Sequence, residues 1–187
     1  MIDFSASWVG LCNRALARLG TTSIASLDDG SSAANYCNLL LPEALLSVYA
    51  EYDWKSAKKR LELAPLVDTP VYGYDYAFEL PVDYIRLIHV DSIEPYSLEG
   101  NTILSDETSL EITYIARPEE ATKIPGHLQA LISTKLAFLL STPMTSSEQL
   151  AQRLMSEYQM AIQRAKEDDS RASYTESDQE WYDEVRG

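Results

Sequence analysis

At 187 residues the chain has room for one compact domain, or one domain with an extended appendage, and is too short for two full domains. With 45% hydrophobic and 24% charged residues it can bury a core of useful size, which excludes a wholly disordered chain. Fifteen Lys and Arg against 29 Asp and Glu leave a net charge of −14, which repels nucleic-acid phosphates and anionic headgroups and excludes tight binding to either.

Twelve tyrosines stand beside 3 Phe and 3 Trp, and a phenol joins apolar contact area to a polar tip, so the composition favours wet interfaces. Cys12 and Cys37 are too few and too far apart for a disulfide framework or a zinc site and read as reduced, buried thiols. No apolar run reaches the length of a membrane span, and MIDFSASW carries no leader pattern, which points to a cytosol-like compartment.

In chain order, Trp8, Leu11, Cys12, Ala15, Leu16 and Leu19 make one helical stripe, predicting a helix over about 5–19 with Ser5 or Ser7 as cap and Gly20 as stop. A polar loop follows, in which Ile24 and Leu27 tuck against the helices. A second helix is predicted over 31–52, with the stripe Ala34, Cys37, Leu41, Ala44, Leu45, Val48 and Tyr52 and a kink at Pro42.

Residues 54–117 change to strand and turn grammar, a β-rich insert with strands at 57–64, 76–80, 85–91, 102–104 and 110–116 and a hairpin turn at Glu99-Gly100-Asn101. VDTPVYGYDY, residues 67–76, reads as an exposed loop. Pro125 opens a third helix over 125–141, apolar on nearly every side and therefore central. Thr145 and Glu148 form a capping box before an outer helix over 146–167, striped by Leu150, Leu154, Tyr158, Ala161 and Ala165. The fold class is thus α+β: about four helices in a bundle, a small antiparallel β-sheet and hairpin region, and an extended tail.

That tail, 167–187, holds eight acids against two arginines, −6 of the total charge. Its Tyr174, Trp181, Tyr182 and Val185 resemble the anchors of a segment that orders on a partner. At about 3.3 Å per residue it reaches roughly 70 Å.

Residues that carry chemistry are sparse. His89 lies in an apolar strand and His127 in the first turn of a helix, neither at metal-ligand spacing, and no nucleophile elbow or phosphate loop is present. No catalytic residue, metal or cofactor is expected. Asp28-Asp29, Glu119-Glu120 and Asp168-Asp169 are the acid pairs that a glycosidase could draw on, but neighbouring acids normally point apart into water. Lys55, Lys58, Lys59 and Arg60 form one basic cluster, read as a solvated strand face pairing with nearby acids, with a weak local contact to DNA as the alternative.

LCNRALARLGTTSIASLDDGSSAANYC, then YDWKSAKKRLELAP, then GYDYAFELPVDYIRLIHV, resembles the head-to-tail adaptor proteins of short-tailed bacteriophages, also called tail tubular protein A or tail accessory proteins. The likeness lies in the shared order, over about residues 11–91, of Asn13-Arg14-Ala15-Leu16, Leu19-Gly20, Leu27-Asp28, Trp54, Arg60, Leu63-Ala64, Tyr74, Tyr76, Leu80-Pro81, Asp83 and Arg86. Ser56 departs from it, standing where an aromatic residue commonly follows the Trp. Residues 117–187 match in layout.

The resemblance implies a structural virion protein at the head–tail junction, assembled in the host cytoplasm. It would form a ring of twelve copies between the portal protein and the tail nozzle or tube, with DNA passing through the lumen and no membrane contact. On that reading Tyr174, Trp181, Tyr182 and Val185 bind the portal. Tyr72, Tyr74 and Tyr76 meet the neighbouring subunit or the nozzle, unless the loop simply covers its own sheet. The alternative within the family is an adaptor with peptidoglycan hydrolase (muramidase) activity.

Overall fold

A computed structural model describes residues 7–171. It is an α+β chain that divides into two units, one helical (residues up to Ser56 and from Glu119) and one β-rich (Ala57–Pro118).

In the helical unit α1 spans Trp8–Arg18, α2 Ser32–Ala50, α3 Gly126–Thr145 and α4 Glu148–Arg171. Ser7 caps α1 by accepting from the Gly10 N–H at 2.9 Å. Gly20, at φ +69°, closes it with a two-bond Schellman turn, its N–H donating to Ala17 O and that of Thr21 to Leu16 O. Asn13 then pins the following loop, its side chain both donating to and accepting from the main chain of Ile24, which is buried.

Ser31 caps α2 through the Ala34 N–H, and Asn38 donates to Leu27 O. Pro42 lies inside one continuous α2, on its exposed side. Cys12 and Cys37 are free and fully buried.

α3 packs against each of the other three helices and buries Leu128, Leu131, Ile132, Leu136, Ala137 and Leu140, as its all-round apolar sequence predicts. Helices three and four run longer than the sequence indicates. α3 passes through Pro143 to Thr145, where Thr145 Oγ1 donates to Ser141 O and Ser141 Oγ to Phe138 O, and Ser146 makes the stop in the left-handed region at φ 52°. Thr145 is thereby committed to α3, so the expected capping box is replaced by Ser147 Oγ, which accepts from the Leu150 N–H. α4 buries Leu154, Tyr158, Ile162, Ala165 and Asp169, so Ile162 rather than Ala161 lies on its inner stripe.

The β unit holds two three-stranded antiparallel sheets. β1 (Lys58–Leu63), β6 (Leu110–Ala116) and β3 (Tyr84–Asp91) lie in the order β1-β6-β3. β2 (Tyr76–Glu79), β5 (Thr102–Ser105) and β4 (Tyr96–Glu99) lie in the order β2-β5-β4. β4, just after Pro95 and mostly exposed, is the strand that sequence reading misses, although its hairpin is anticipated: Glu99 pairs with Thr102 around Gly100, φ +59°, and Asn101.

Side chains from both sheets share one core, in which Leu63, Phe78, Leu80, Val90, Ile103, Leu110, Ile112, Tyr114 and Ala116 are buried. The alternation of β6 explains this, since Leu110, Ile112, Tyr114 and Ala116 point inward and Glu111 and Thr113 outward.

Candidate functional site

The loop between β1 and β2 is the most exposed apolar segment described. Its base is tied down by the Leu66 N–H donating to Ala77 O at 2.8 Å and the Asp75 N–H donating to Asp106 Oδ1 at 2.9 Å. Gly73 sits at φ +90°, where a side chain would be strained. Between these ties Val67, Val71 and Tyr72 are 98%, 96% and 87% exposed. A shallow cleft of about 330 Å³ beside them is lined by Pro70, Val71, Tyr72, Tyr74, Glu99 and Leu104.

The tyrosines that the sequence groups together separate here. Tyr72 projects, Tyr74 is half-buried, and Tyr76 packs against the β core. Tyr76 therefore does cover its own sheet, and the exposed apolar face falls to Val67 and Val71, which a search for aromatics passes over. Moving a valine side chain from water into an interface is worth roughly 1.5 kcal/mol or more, so this loop gains free energy by being covered.

The basic cluster does not form one patch. Lys55, in the short turn Lys55–Ala57, donates from Nζ to Ser170 O at 3.1 Å. Lys59 Nζ donates to Asp83 Oδ2 at 2.6 Å, and Tyr114 OH donates to Asp83 Oδ1 at 3.0 Å. Burial works against the Asp83 carboxylate, but the bonds from Lys59 and Tyr114 and the lysine charge outweigh it and hold its pKa below the ordinary range. Burial, and then the Asp83 bond, pushes Tyr114 up to about 12. Lys58 and Arg60 alternate with Lys59 along β1 and lie on the opposite face, where both are exposed.

That opposite face carries a constellation the sequence reading does not assemble. Register places Arg60 beside Thr113 and Thr113 beside His89, with Glu62, Glu111 and Asp91 forming the next row across the same three strands. The rows line a cleft of about 460 Å³. Like charges directly opposite each other weaken a sheet, and Glu62 is relieved by accepting from Ser109 Oγ at 2.7 Å. Alternation in 60/62, 89/91 and 111/113 was the available signal, but strand order is needed to see the rows.

At the end of α4 the residues 167–171 are helical, where the sequence suggested the start of the extended tail. Asp169 is 3% exposed, and both its oxygens accept from the Lys55 N–H at 3.2 Å. Its Oδ1 also lies 4.0 Å from His127 Nε2, and His127 adjoins Trp54, whose Nε1–H donates to Val48 O at 2.7 Å. Tyr174, Trp181, Tyr182 and Val185 lie outside the described residues.

The adjacent acid pairs serve local structure. Asp29 accepts from the Ala25 and Ser31 N–H groups and its pKa is lowered chiefly by the bonds from Ser31. Glu119 and Glu120 face Lys123, and Asp168 faces Arg171. Among the described residues no group of three or more His, Cys, Asp or Glu is arranged to hold a metal ion. No helix among them is long and apolar enough to cross a membrane. No protein-family model and no curated protein matches the chain.

Proposed function

We propose that this chain is a head-to-tail adaptor of a short-tailed bacteriophage, a virion protein that joins the portal to the tail nozzle or tube in a ring around the exit channel. The observation that carries the reading is the β1–β2 loop, which holds Val67, Val71 and Tyr72 almost wholly in water on a base fixed by the Leu66–Ala77 main-chain bond and the bond from the Asp75 N–H to the Asp106 carboxylate. Several almost fully exposed apolar side chains on one short loop suit a protein partner. The resemblance over residues 11–91 supplies which partner, and the charge of −14 suits a wall that DNA passes without being held.

The work is assembly and sealing, in which many modest contacts add through multivalency. Residues beyond Arg171, with Trp181 and Tyr182 as anchors, bind the portal. The loop with Tyr72 and Tyr74 meets the neighbouring subunit or the nozzle. Of the basic cluster, Lys58 and Arg60 on the outer face of β1 are the cations placed for a weak, local contact with passing DNA.

A muramidase reading has less in its favour. The row of Glu62, Glu111 and Asp91 is exposed and lacks the apolar enclosure that a general acid requires. A zymogram on cell-wall substrate is expected to show no clearing.

The portal contact is tested by deleting residues 172–187 and measuring cosedimentation with portal rings. The cut starts at 172 because Asp169 and Ser170 belong to the packed end of α4. Loss of cosedimentation is expected; undiminished binding would remove the tail from the portal contact.

A further inference from the structure

The exposed loop invites the question of what shape and charge would receive it, and the helical unit contains a match. Between α1 and α3 runs an open groove of about 470 Å³, lined by Arg14, Ala17, Arg18, Ala130 and Ser133. Its floor is small side chains, so a partner can approach the helices closely. Ser133 is buried with its hydroxyl donating to Gln129 O, so it makes no polar demand on an incoming group.

The rim is basic. Arg14 bonds Gln129 Oε1 at 3.0 Å, while Arg18 and Arg153 share the single carboxylate of Glu157 at 3.0 and 3.5 Å. The two guanidiniums that line the groove, against the one carboxylate paired to Arg18, leave a local charge of +1 in a chain whose total is −14.

The loop is the complement. Val71 and Tyr72 form an apolar tip flanked by Asp68 and Asp75, both exposed, and no Lys or Arg occurs between Arg60 and Arg86. We propose that the β1–β2 loop of one copy seats Val71 and Tyr72 in the α1–α3 groove of a second copy of this chain, with Asp68 and Asp75 facing Arg14 and Arg18. Carboxylate–guanidinium pairs set the register of such a contact, and covering the valine and tyrosine supplies the burial. The inference rests on the loop being a contact surface, as read above, and names its partner.

Knob and groove are different surfaces of one chain, so the contact is heterologous and propagates from copy to copy, closing into a ring where the rotation allows. It needs no other protein and can be read without portal.

Two full-length variants test it by sedimentation at millimolar concentration. Arg14→Glu/Arg18→Glu makes the groove acidic, and Asp68→Lys/Asp75→Lys makes the loop basic. Each alone is expected to lose the self-association of the wild-type chain. Mixed in equal amounts they are expected to regain it, since every loop in the mixture then finds a groove of opposite charge, and the rescue also shows that both variants fold.

A second arm uses Val71→Cys in one chain and Ala130→Cys in another, joined by a short bismaleimide; a cross-linked heterodimer is expected, with Cys12 and Cys37 silent because they are buried. A monomeric wild-type chain, undiminished association of either charge variant, or a mixture that stays apart would overturn the contact. Portal cosedimentation of the same samples reports separately on the adaptor role.

Discussion

The helical unit and the β unit spend their apolar residues differently. Around α3 they turn inward, and Trp54, Leu131, Ile132, Leu136 and Leu140 are at most 1% exposed. The β unit closes a smaller core around Phe78 and Ile103, yet leaves Val67, Val71, Val82 and Ile93 more than 90% exposed. Both units hold a core, but the near-fully exposed valines and isoleucine of the β unit are apolar surface that gains free energy only when covered.

The largest expected break on the packed side is Trp54→Ala, which removes a fully buried indole and its bond to Val48 O and should cost about 3–5 kcal/mol in denaturant titration. Asp83→Ala should cost about 1.5–3 kcal/mol by removing the acceptor of Lys59 and Tyr114. It carries a pH signature. The folded-state pKa of Asp83 is depressed, so its contribution is present above the unfolded value of about 4 and is lost as pH falls through the lower folded value. The acid limb of the stability profile should therefore flatten in the variant.

The tyrosines act at the other end. Tyr49, raised by burial, and Tyr114 both titrate near 12 in the folded chain, so the stability they contribute is whole below about pH 10 and drains as pH rises through 12. Ser31→Ala, which removes a cap of α2, should cost about 1 kcal/mol. Tyr72→Ala is the smallest, within about 0.5 kcal/mol on melting. It should nonetheless weaken association with neighbouring copies, and that inversion of stability and binding is what the contrast requires. A Tyr72→Ala chain that melts as poorly as the Asp83 variant would place the loop in the fold instead.

Much of the helical unit was legible because period and punctuation agree: Ser7, Gly20 and Ser31 sit where caps belong, and the apolar run of α3 leaves no polar face to expose. The β unit was legible in its strands but less so in its pairings. β4 has too little apolar alternation to stand out beside Pro95, and the outward rows of Arg60, Thr113 and His89 and of Glu62, Glu111 and Asp91 exist only once β6 lies between β1 and β3. Charge alone misled at one point, the acidic stretch after Lys166, which begins in a helix, whereas the basic cluster does lie exposed along β1 with Lys59 paired to Asp83. Asp169 reads as one more tail acid because the Lys55 N–H that holds it lies 114 residues away in the chain.

The central claim is that this chain joins a portal to a tail. Electron microscopy of the purified full-length chain mixed with portal rings tests it most directly. The account predicts a twelve-fold ring appended to one end of the portal, and particles that stay separate from it would contradict the adaptor role.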